Sequence, residues 1–532
     1  MRIESIVKTP SIEELETWLS KKFLGKDRSD TIRCLSIMIY TLIFSGITIL
    51  RHYGFKTRAW DLGIFTQSLW TTLNANGFFY HTSELFINPS GSFFGVHFSP
   101  ILFLVLPLYW IIQTPETLLV LQSFVLALAA LPIYKLAKEY AGGRIVGLTF
   151  AVAYLMFPAI HFVNLYDFHV QAFLPLFFAY TIYYITKENW PRYFLFVFLS
   201  LMCEEHAAQI MFFIGVYTAW KYRTRIISAI KSKDLLEKKL LIPLITMALS
   251  IVWYWFTIWQ RDTFFPTNPA ALEEFLGAGN FIILGAKSPL EVPLLIVLRP
   301  WLAIQALAYD GHIKLLYVVL VFGPLAFFSF KAPSALIPTI PWLVFSFISQ
   351  AVCHHTLGYH YEAYLVSFIF AAAIFAVRKN YLKKPGLKGA KGSIIKIVAF
   401  SLIFFVGTSP VVNTFFPNQT LIQIGEHERL LSEVLGTVSS NASILTQNNI
   451  FPHVSHRIDA YVVPDPWINS KIRDIVIAFV NQTMDKVDYV LVDSKTDPIT
   501  TEIVFSLLET KPQFKMITSK DNGTILLYKR QP

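Results

Sequence analysis

The chain has 532 residues, of which 54% are hydrophobic and only 15% are charged. Soluble domains carry about 25% charged residues, so this composition and the mean hydropathy of +0.50 exclude an ordinary soluble protein and indicate a membrane protein. The formal net charge of +10 does not indicate nucleic-acid binding, because the basic residues gather in short runs beside hydrophobic spans, as they do in cytoplasmic loops.

The first 33 residues contain seven Lys or Arg and six acidic residues. The pattern SIEELETWLSKKF, at 11–23, is typical of a short amphipathic helix. Neither an apolar stretch nor a small-residue cleavage site precedes the first hydrophobic span. We therefore expect residues 1–33 to form a cytoplasmic segment and the first span to be an uncleaved anchor.

The region 34–412 is expected to be a polytopic transmembrane domain of about 11–13 α-helices, because runs of roughly 17–25 apolar residues can cross a bilayer. The clear runs are 34–51, 116–137, 145–163, 170–186, 204–220, 240–258, 314–330, 335–352, 360–377 and 395–412, and the ambiguous ones are 98–113, 190–203 and 289–308. We expect 98–113 to be a short outer-leaflet or re-entrant helix, since about sixteen residues at ~1.5 Å each extend only ~24 Å.

Two basic runs predict the orientation in the cytoplasmic membrane. The runs 221–239 and 378–396 each hold seven Lys or Arg, so both should be cytoplasmic. The spans before them then run inward, and the last span, 395–412, leads outward. The polar segments expected on the outer face are the first loop, 52–97, and the turns at 166–169, 203–206 and 354–362.

The composition changes at 413–532, where we expect a small exterior α/β domain. The alternating segments YVLV (489–492) and TILLY (524–528) predict strands, and 425–437 and 469–482 predict helices. The four N-x-S/T sequons of the chain all fall in this region, at Asn418, Asn441, Asn481 and Asn522. An exterior location would explain this clustering.

Ionisable side chains are concentrated in the four segments expected on the outer face. They are Arg58, Asp61 and His97 in the first loop, Asp167 and His169 in the next turn, Glu204, Glu205 and His206 in the third, and His354, His355, His360 and Glu362 in the fourth. Ionisable residues near a bilayer are costly and usually face a polar cavity. We therefore expect these four groups to line one site.

This arrangement suits a substrate that carries a lipid-linked phosphate. Arg58 would bind the phosphate through bidentate hydrogen bonds. Asp61 would act as a general base on an acceptor hydroxyl, or would hold a metal ion against the leaving phosphate. The simpler alternatives are an Arg58–Asp61 ion pair at i, i+3 and a helix-entry role for His97 with Ser99 as cap.

The histidines of the fourth segment allow two interpretations. The donors of His354, His355 and His360 have spacings that could hold a divalent metal ion, with Glu362 as a hard ligand. The alternative is a structural role at the membrane interface. Whether the protein uses a cofactor at all does not follow from its sequence.

Seven segments of the chain resemble one family of prokaryotic membrane proteins, domain of unknown function 2079. They are AWDLGIFTQSLW, HFSPILFLVLPLYW, YDFHVQAFLPL, CEEHAAQ, GYHYEAYLVSF, QNNIFPHVSHRIDAYVVP and VDYVLVD, which occur in this order between about residues 35 and 495. This family is similar to the glycosyltransferase type-C superfamily. Its polytopic enzymes transfer sugars from polyprenyl-phosphate donors outside the cytoplasmic membrane.

The resemblance to the type-C superfamily implies roles for particular residues. The essential acidic residue of the first outer loop would be Asp61, and an acidic residue of a later outer loop would be Asp167. The HPPL-like segment of the superfamily resembles HFSP at 97–100, with Ser99 in place of the first proline. The Lys/Arg-Glu-Asp pattern appears here as CEEH at 203–206, without the aspartate and the basic residue.

The resulting hypothesis is a membrane glycosyltransferase with the type-C architecture. It would take a polyprenyl-phosphate sugar donor, with membrane lipid around it, and would pass the sugar to an acceptor that the sequence does not identify. The alternatives are a transporter or flippase for lipid-linked or anionic substrates, and a non-catalytic envelope scaffold. Few ionisable residues lie in the middle of the predicted spans and the polar groups are one-sided, which favours the enzyme.

Overall fold

The computed structural model of the chain describes residues 26–265, 267–268, 280–287, 290–383, 387–414, 424–464 and 470–531. The predicted amphipathic helix at 11–23 and the sequon at Asn418 lie outside these residues. The described chain is mostly helical and carries one five-stranded sheet near its C-terminus.

The hydrophobic runs of the first 414 residues form a helical bundle around one large apolar core. Its first helices are α1 (Lys26–Tyr53), α2 (Ile64–Asn74), α3 (Leu102–Ile111), α4 (Pro115–Leu128), α5 (Ala130–Tyr140), α6 (Arg144–Leu155), α7 (Pro158–Leu165), α8 (Leu174–Lys187), α9 (Trp190–Leu201) and α10 (His206–Lys221). They are followed by α11 (Arg223–Lys231), α12 (Lys238–Phe264), α13 (Val292–Leu298), α14 (Pro300–Ala308), α15 (Gly311–Phe322), α16 (Ile340–Ile348), α17 (Val366–Lys383), α18 (Leu387–Thr408) and α19 (Pro410–Thr414). In the core, α10 packs on α12 and α1 packs on α4.

Several helices have the length and composition of membrane spans. Among the described residues, four qualify singly: Ser29–Tyr53, Pro115–Tyr140, Lys238–Phe264 and Ala390–Thr408. Two bent pairs bring the number to six if each pair is one span: Arg144–Leu155 with Pro158–Leu165, bent by 43°, and Pro300–Ala308 with Gly311–Leu325, bent by 71°. The ten clear spans predicted from hydropathy are therefore too many by these criteria.

Breaks within helices explain why the structure has fewer long spans than hydropathy predicts. The predicted spans 314–330 and 335–352 fall in a region of short 3-10 turns that contains Pro324, Pro333 and Pro338. Proline lacks the N–H donor and its ring clashes with the preceding turn, whereas hydropathy averages over such breaks.

Other predicted spans are shorter in the structure, and the number of helices differs from the number predicted. The predicted span 170–186 is reduced to the fourteen residues of α8, and 204–220 to the sixteen of α10. Nineteen α-helices occur in the described part of 26–414, more than the 11–13 predicted, because some predicted spans are divided, such as 116–137 into α4 and α5. The helix α3 has ten residues and extends only ~15 Å, so it is too short to cross a bilayer, as expected for 98–113.

The C-terminal region has the predicted α/β composition. Its helices are α20 (Glu426–Gly436), α21 (Ser470–Met484) and α22 (Pro498–Leu508), and its strands are β1 (Ile444–Thr446), β2 (Ala460–Val462), β3 (Tyr489–Asp493), β4 (Phe514–Lys520) and β5 (Ile525–Arg530). The strand order is β2-β1-β3-β5-β4. The first three strands are parallel, and β5 pairs antiparallel with both β3 and β4. The strands predicted at 489–492 and 524–528 correspond to β3 and β5.

Apolar side chains cover both faces of this sheet, because successive strand residues point to opposite sides. One face, with Val490 and Val492, packs on residues of α21 and α22. The other face, with Leu491 and Leu527, packs on α20 and on Phe55 of the first loop. The α/β domain therefore shares an apolar core with the loop that carries Asp61.

Candidate active site

Asp61 lies in a short π-helix, Ala59–Gly63, between α1 and α2. Only 7% of Asp61 is exposed, and its Oδ1 lies 2.9 Å from Nε2 of His169, which is also buried. Single π-turns occur frequently at functional sites. The i, i+3 ion pair between Arg58 and Asp61 is not the arrangement found, since Asp61 pairs with His169 and the Arg58 residue is exposed.

Asp167 fixes the backbone beside Asp61. It has a left-handed φ of +64°, which aspartate adopts more readily than most residues, and its Oδ2 accepts the Arg58 N–H at 2.7 Å. Gln122 on α4 braces the same turn, since its Nε2 donates to the Asn164 carbonyl at 3.0 Å and its Oε1 accepts the His169 N–H at 2.8 Å. Asp167 and His169 are thus held in one hydrogen-bonded frame.

The Asp167 carboxyl is electrostatically coupled to its neighbours. Burial raises the pKa of Asp167 to about 7, the charge of Asp61 acts in the same direction, and the charge of Arg51 opposes it. Like charges in a buried site disfavour double ionisation, so the nearby charge of Asp61 favours the protonated form of Asp167. A buried carboxyl with a pKa in this range is a candidate for acid–base chemistry.

Aromatic rings cover the Asp61–His169 pair. The His360 ring stacks on His169 with a centroid distance of 4.0 Å and an interplanar angle of 16°. Tyr166 lies 5.4 Å from both histidine rings, and Tyr359 lies 5.1 Å from Tyr166. Burial holds the pKa of His360 well below its usual value, so this ring is neutral. The predicted residue His360 therefore belongs to the Asp61 site as a stacking partner.

Glu204, immediately before α10, forms hydrogen bonds with side chains of two other segments of the chain. It is 1% exposed, and its Oε2 accepts a hydrogen bond from Nε2 of Gln171 at 2.6 Å. Its Oε1 accepts a hydrogen bond from the Tyr364 hydroxyl. A fully buried carboxyl with two side-chain donors indicates that Glu204 positions the turns around the site.

Glu205 and His97 form an ion pair at the more open edge of the site. The His97 Nδ1 lies 3.0 Å from Oε1 of Glu205, and the Phe98 N–H donates to Oε2 at 3.2 Å. Burial lowers the pKa of His97, but the charge and hydrogen bond of Glu205 outweigh it and raise the pKa to about 9. Burial raises the pKa of Glu205, and His97 outweighs it and lowers the pKa to about 2. Ser99 is not a helix cap, because its buried hydroxyl has no hydrogen-bond partner among the described residues.

The pH dependence of stability should reveal this ion pair. Glu205 contributes fully above its usual pKa of 4.5 and loses its contribution as the pH falls through about 2. His97 contributes fully below its usual pKa of 6.5 and loses its contribution as the pH rises through about 9. We therefore expect His97→Gln to lower the melting temperature most strongly between those two usual pKa values. The difference from the native protein should shrink as the pH rises through 9.

Thermal unfolding of the purified protein in detergent would measure this difference across the pH range. The matched control is His312→Gln, which changes a histidine in an exposed position. A difference between native and His97→Gln proteins that stays constant from the acidic to the alkaline end would show that the His97–Glu205 contact is not ionic.

Two further predicted residues lie apart from these contacts. His206 is the first residue of α10 and is partly exposed. Glu362 is completely buried, and its carboxyl lies near the Tyr317 hydroxyl of α15. Burial raises the pKa of Glu362 to about 8. Among the described residues, no hydrogen bond joins Glu362 to the Asp61–His169 pair.

The three histidines predicted as a metal site are not brought together. His354 bonds to the Ser349 hydroxyl at 2.8 Å, and Nδ1 of His355 lies 3.3 Å from the Ser346 carbonyl, whereas His360 stacks on His169. Within the described ranges, no group of three or more His, Cys, Asp or Glu side chains could hold a metal ion. Sequence spacing suggested a cluster, but the 3-10 turns of 352–364 direct the three rings to different neighbours.

An aromatic groove adjoins the edge formed by His97 and Glu205. Its cavity of about 510 Å³ lies between the first loop, the start of α3 and the end of α12. Its lining includes Phe78, Phe94, Phe98, Phe103, Phe256 and Trp259. Phe98 joins the two regions, since its residue lines the groove and its N–H donates to Glu205.

Several residues of the site were missed in the sequence. Gln122, Gln171 and Tyr364 hold the predicted side chains in place, and Asn448 bonds to Ala59 from the α/β domain. Gln122 could have been found, because a lone amide within a predicted span is costly unless it has a specific partner. The other three sit in polar or aromatic surroundings where the sequence carries no such signal.

Comparison with solved structures shows a related fold. The crystal structure of ArnT from Cupriavidus metallidurans bound to undecaprenyl phosphate has a TM-score of 0.51 and 10% sequence identity, over 93% of this chain and 97% of that chain. The apo structure of the same protein has a TM-score of 0.46, with the same identity and coverage. At this identity the likeness shows the fold alone. No curated protein matches the sequence.

The family comparison covers most of the chain. Residues 51–526 match the family described as predicted membrane protein, domain of unknown function 2079. This range includes the Asp61 turn (Ala59–Gly63), the bundle from α2 onward and nearly all of the α/β domain, which confirms the resemblance drawn from the sequence motifs. The protein belongs to the family of predicted membrane proteins with domain of unknown function 2079.

Proposed function

We propose that the protein is a membrane glycosyltransferase that moves a sugar from a polyprenyl-phosphate donor to an acceptor hydroxyl. The observation that carries the proposal is the buried Asp61–His169 pair, with a contact of 2.9 Å, at the junction of the bundle and the first loop. The fold shared with a protein crystallised with undecaprenyl phosphate supports the class of lipid carrier.

In the proposed reaction, Asp61 acts as the general base. The acceptor oxygen attacks the anomeric carbon, and its proton passes to the Asp61 carboxylate. The bond between the anomeric carbon and the phosphate oxygen breaks, and the polyprenyl phosphate leaves with the electron pair. His169 holds the Asp61 carboxylate through its Nε2, so that the free lone pairs of the carboxylate face the acceptor.

Two further features of the site suit such a donor. The exposed Arg58, three residues before Asp61, can bind the phosphate through its planar guanidinium. The aromatic groove beside His97 and Glu205 can take the first isoprene units of the lipid. In this proposal the Asp61 end of the bundle and the α/β domain lie on the outer face of the cytoplasmic membrane, and residues 1–33 lie in the cytoplasm. This orientation follows the basic runs at 221–239 and 378–396.

The test is a transfer assay with the purified protein in lipid vesicles. Polyprenyl-phosphate donors with different radiolabelled sugars would be supplied with membrane lipids and glycans as acceptors. The expected result is release of unlabelled polyprenyl phosphate together with label in an acceptor, for at least one donor. Release that is no greater than with empty vesicles for every donor would overturn the proposal. Movement of intact donor across the vesicle membrane without release would indicate the transporter or flippase instead.

A further inference from the structure

A continuous line of contacts joins the α/β domain to the Asp61 turn. The segment 447–457 leaves the carboxyl end of β1 and runs along the first loop. The Ala59 N–H donates to the Asn448 carbonyl at 2.9 Å and to its Oδ1 at 2.8 Å. The hydroxyls of Ser455 and Thr66 lie 2.7 Å apart. Nε2 of Gln67 donates to the Arg457 carbonyl at 2.9 Å. A Cβ atom on Gly63 would lie 2.6 Å from the Phe451 ring, so the two surfaces are in close contact there.

These contacts come from the sheet edge at which parallel α/β domains usually bind ligands. That edge is formed by the carboxyl ends of β2, β1 and β3, and the crevice lies where the strand order reverses, between β1 and β3. Here Gln447 fills the crevice, because it accepts the Asp493 N–H at 2.6 Å and donates to the hydroxyls of Thr500 and Thr501 at 3.0 and 2.9 Å. The next residue, Asn448, reaches the Asp61 turn.

The Asp61 turn needs these outside partners. The first N–H groups of a helix have no acceptor within the helix itself. Arg58 precedes the π-helix Ala59–Gly63, and its side chain does not cap that helix. The Arg58 N–H donates to Oδ2 of Asp167 in the bundle at 2.7 Å. The Ala59 N–H donates to the carbonyl and the Oδ1 of Asn448 in the α/β domain. Asp167 of the bundle and Asn448 of the α/β domain therefore fix consecutive peptide groups, and Asp61 follows two residues later.

We propose that Asn448 is a positioning residue for Asp61, so that the α/β domain is a working part of the active site. Asn448 does not touch the reacting atoms, and it acts by holding the peptide of Ala59 in the direction that presents the Asp61 carboxylate to His169. The kinetic part of this inference rests on the proposed glycosyltransferase activity, but its structural part can be measured without any substrate.

The test compares three variants of the full-length protein. Asn448→Ala removes the side-chain acceptor, whereas Asn448→Asp keeps an oxygen in the same place. Ser455→Ala is the matched control, because it removes a hydrogen bond from the same segment to Thr66 of α2 and leaves both contacts of Asn448 with Ala59 in place. Peptide hydrogen–deuterium exchange at 55–65 is measured on each purified protein, and kcat and KM are measured with the donor that the native protein uses.

We expect Asn448→Ala to speed exchange at 55–65 and to lower kcat by at least ~10-fold with KM within about twofold. A displacement of ~1 Å in a catalytic group lowers rates by up to ~100-fold. Asn448→Asp should restore both values, and Ser455→Ala should leave both near native. Equal effects of Asn448→Ala and Ser455→Ala, or unchanged exchange at 55–65 in Asn448→Ala, would overturn the inference. If the native protein shows no transfer, the proposed function fails and the exchange data alone decide the role of Asn448.

Discussion

Replacement of Asp61 by asparagine is expected to lower kcat for sugar transfer by at least ~100-fold, because a positioned general base contributes ~100-fold to ~10,000-fold to a rate. KM should stay within about twofold, since asparagine has the same shape and its Oδ1 can still accept the hydrogen bond from His169. The measurement is steady-state release of polyprenyl phosphate by the purified variant, after its melting temperature has been compared with that of the native protein.

The matched control for this change is Asp30→Asn. Asp30 forms an i, i+3 ion pair with Arg33 at 2.9 Å, and its side chain is 44% exposed. Ion pairs with a solvent-accessible partner contribute little, so this variant should keep native kcat and nearly native stability. A folded Asp61→Asn protein with the same kcat as Asp30→Asn would show that Asp61 is not the base.

Replacement of Glu204 by leucine is expected to destabilise the protein by about 2–4 kcal/mol. It would leave the Gln171 amide and the Tyr364 hydroxyl buried without the acceptor they now use, and each unsatisfied buried group costs about 1–3 kcal/mol. The measurement is the shift of the melting temperature of the purified protein in detergent, together with the yield of folded protein.

Glu204→Gln separates the loss of hydrogen bonds from the loss of charge. The glutamine Oε1 can accept from Tyr364, and its amide can donate to the Oε1 of Gln171, which has no partner at present among the described residues. We expect a loss below about 1 kcal/mol. Equal destabilisation by Leu and Gln would mean that the charge, and not the two hydrogen bonds, is what the native protein needs.

The class of the protein and several of its elements could be predicted without coordinates. The low charge and long apolar runs predict a multi-pass membrane protein, and four described helices meet that description singly. Alternation at 489–492 and 524–528 predicts β3 and β5. These features are local, since they depend only on which side chains avoid water and on the period at which they repeat. The breaks in 311–348 were missed, because hydropathy does not register the backbone effect of proline.

The sequence by itself determined that polar groups, Asp61, His97, Asp167 and Glu204 among them, are gathered in a few loops of an apolar chain. Only the tertiary structure decided how they pair. Asp61 meets His169 and not Arg58, Glu204 meets Tyr364 across 160 residues, and Ala59 meets Asn448 across 389. Burial preferences are properties of single residues and short periods, whereas the partner of a buried charge depends on which helices and turns pack together. The Asp61 turn is therefore recognisable in the sequence, but its geometry is set by the bundle on one side and the α/β domain on the other.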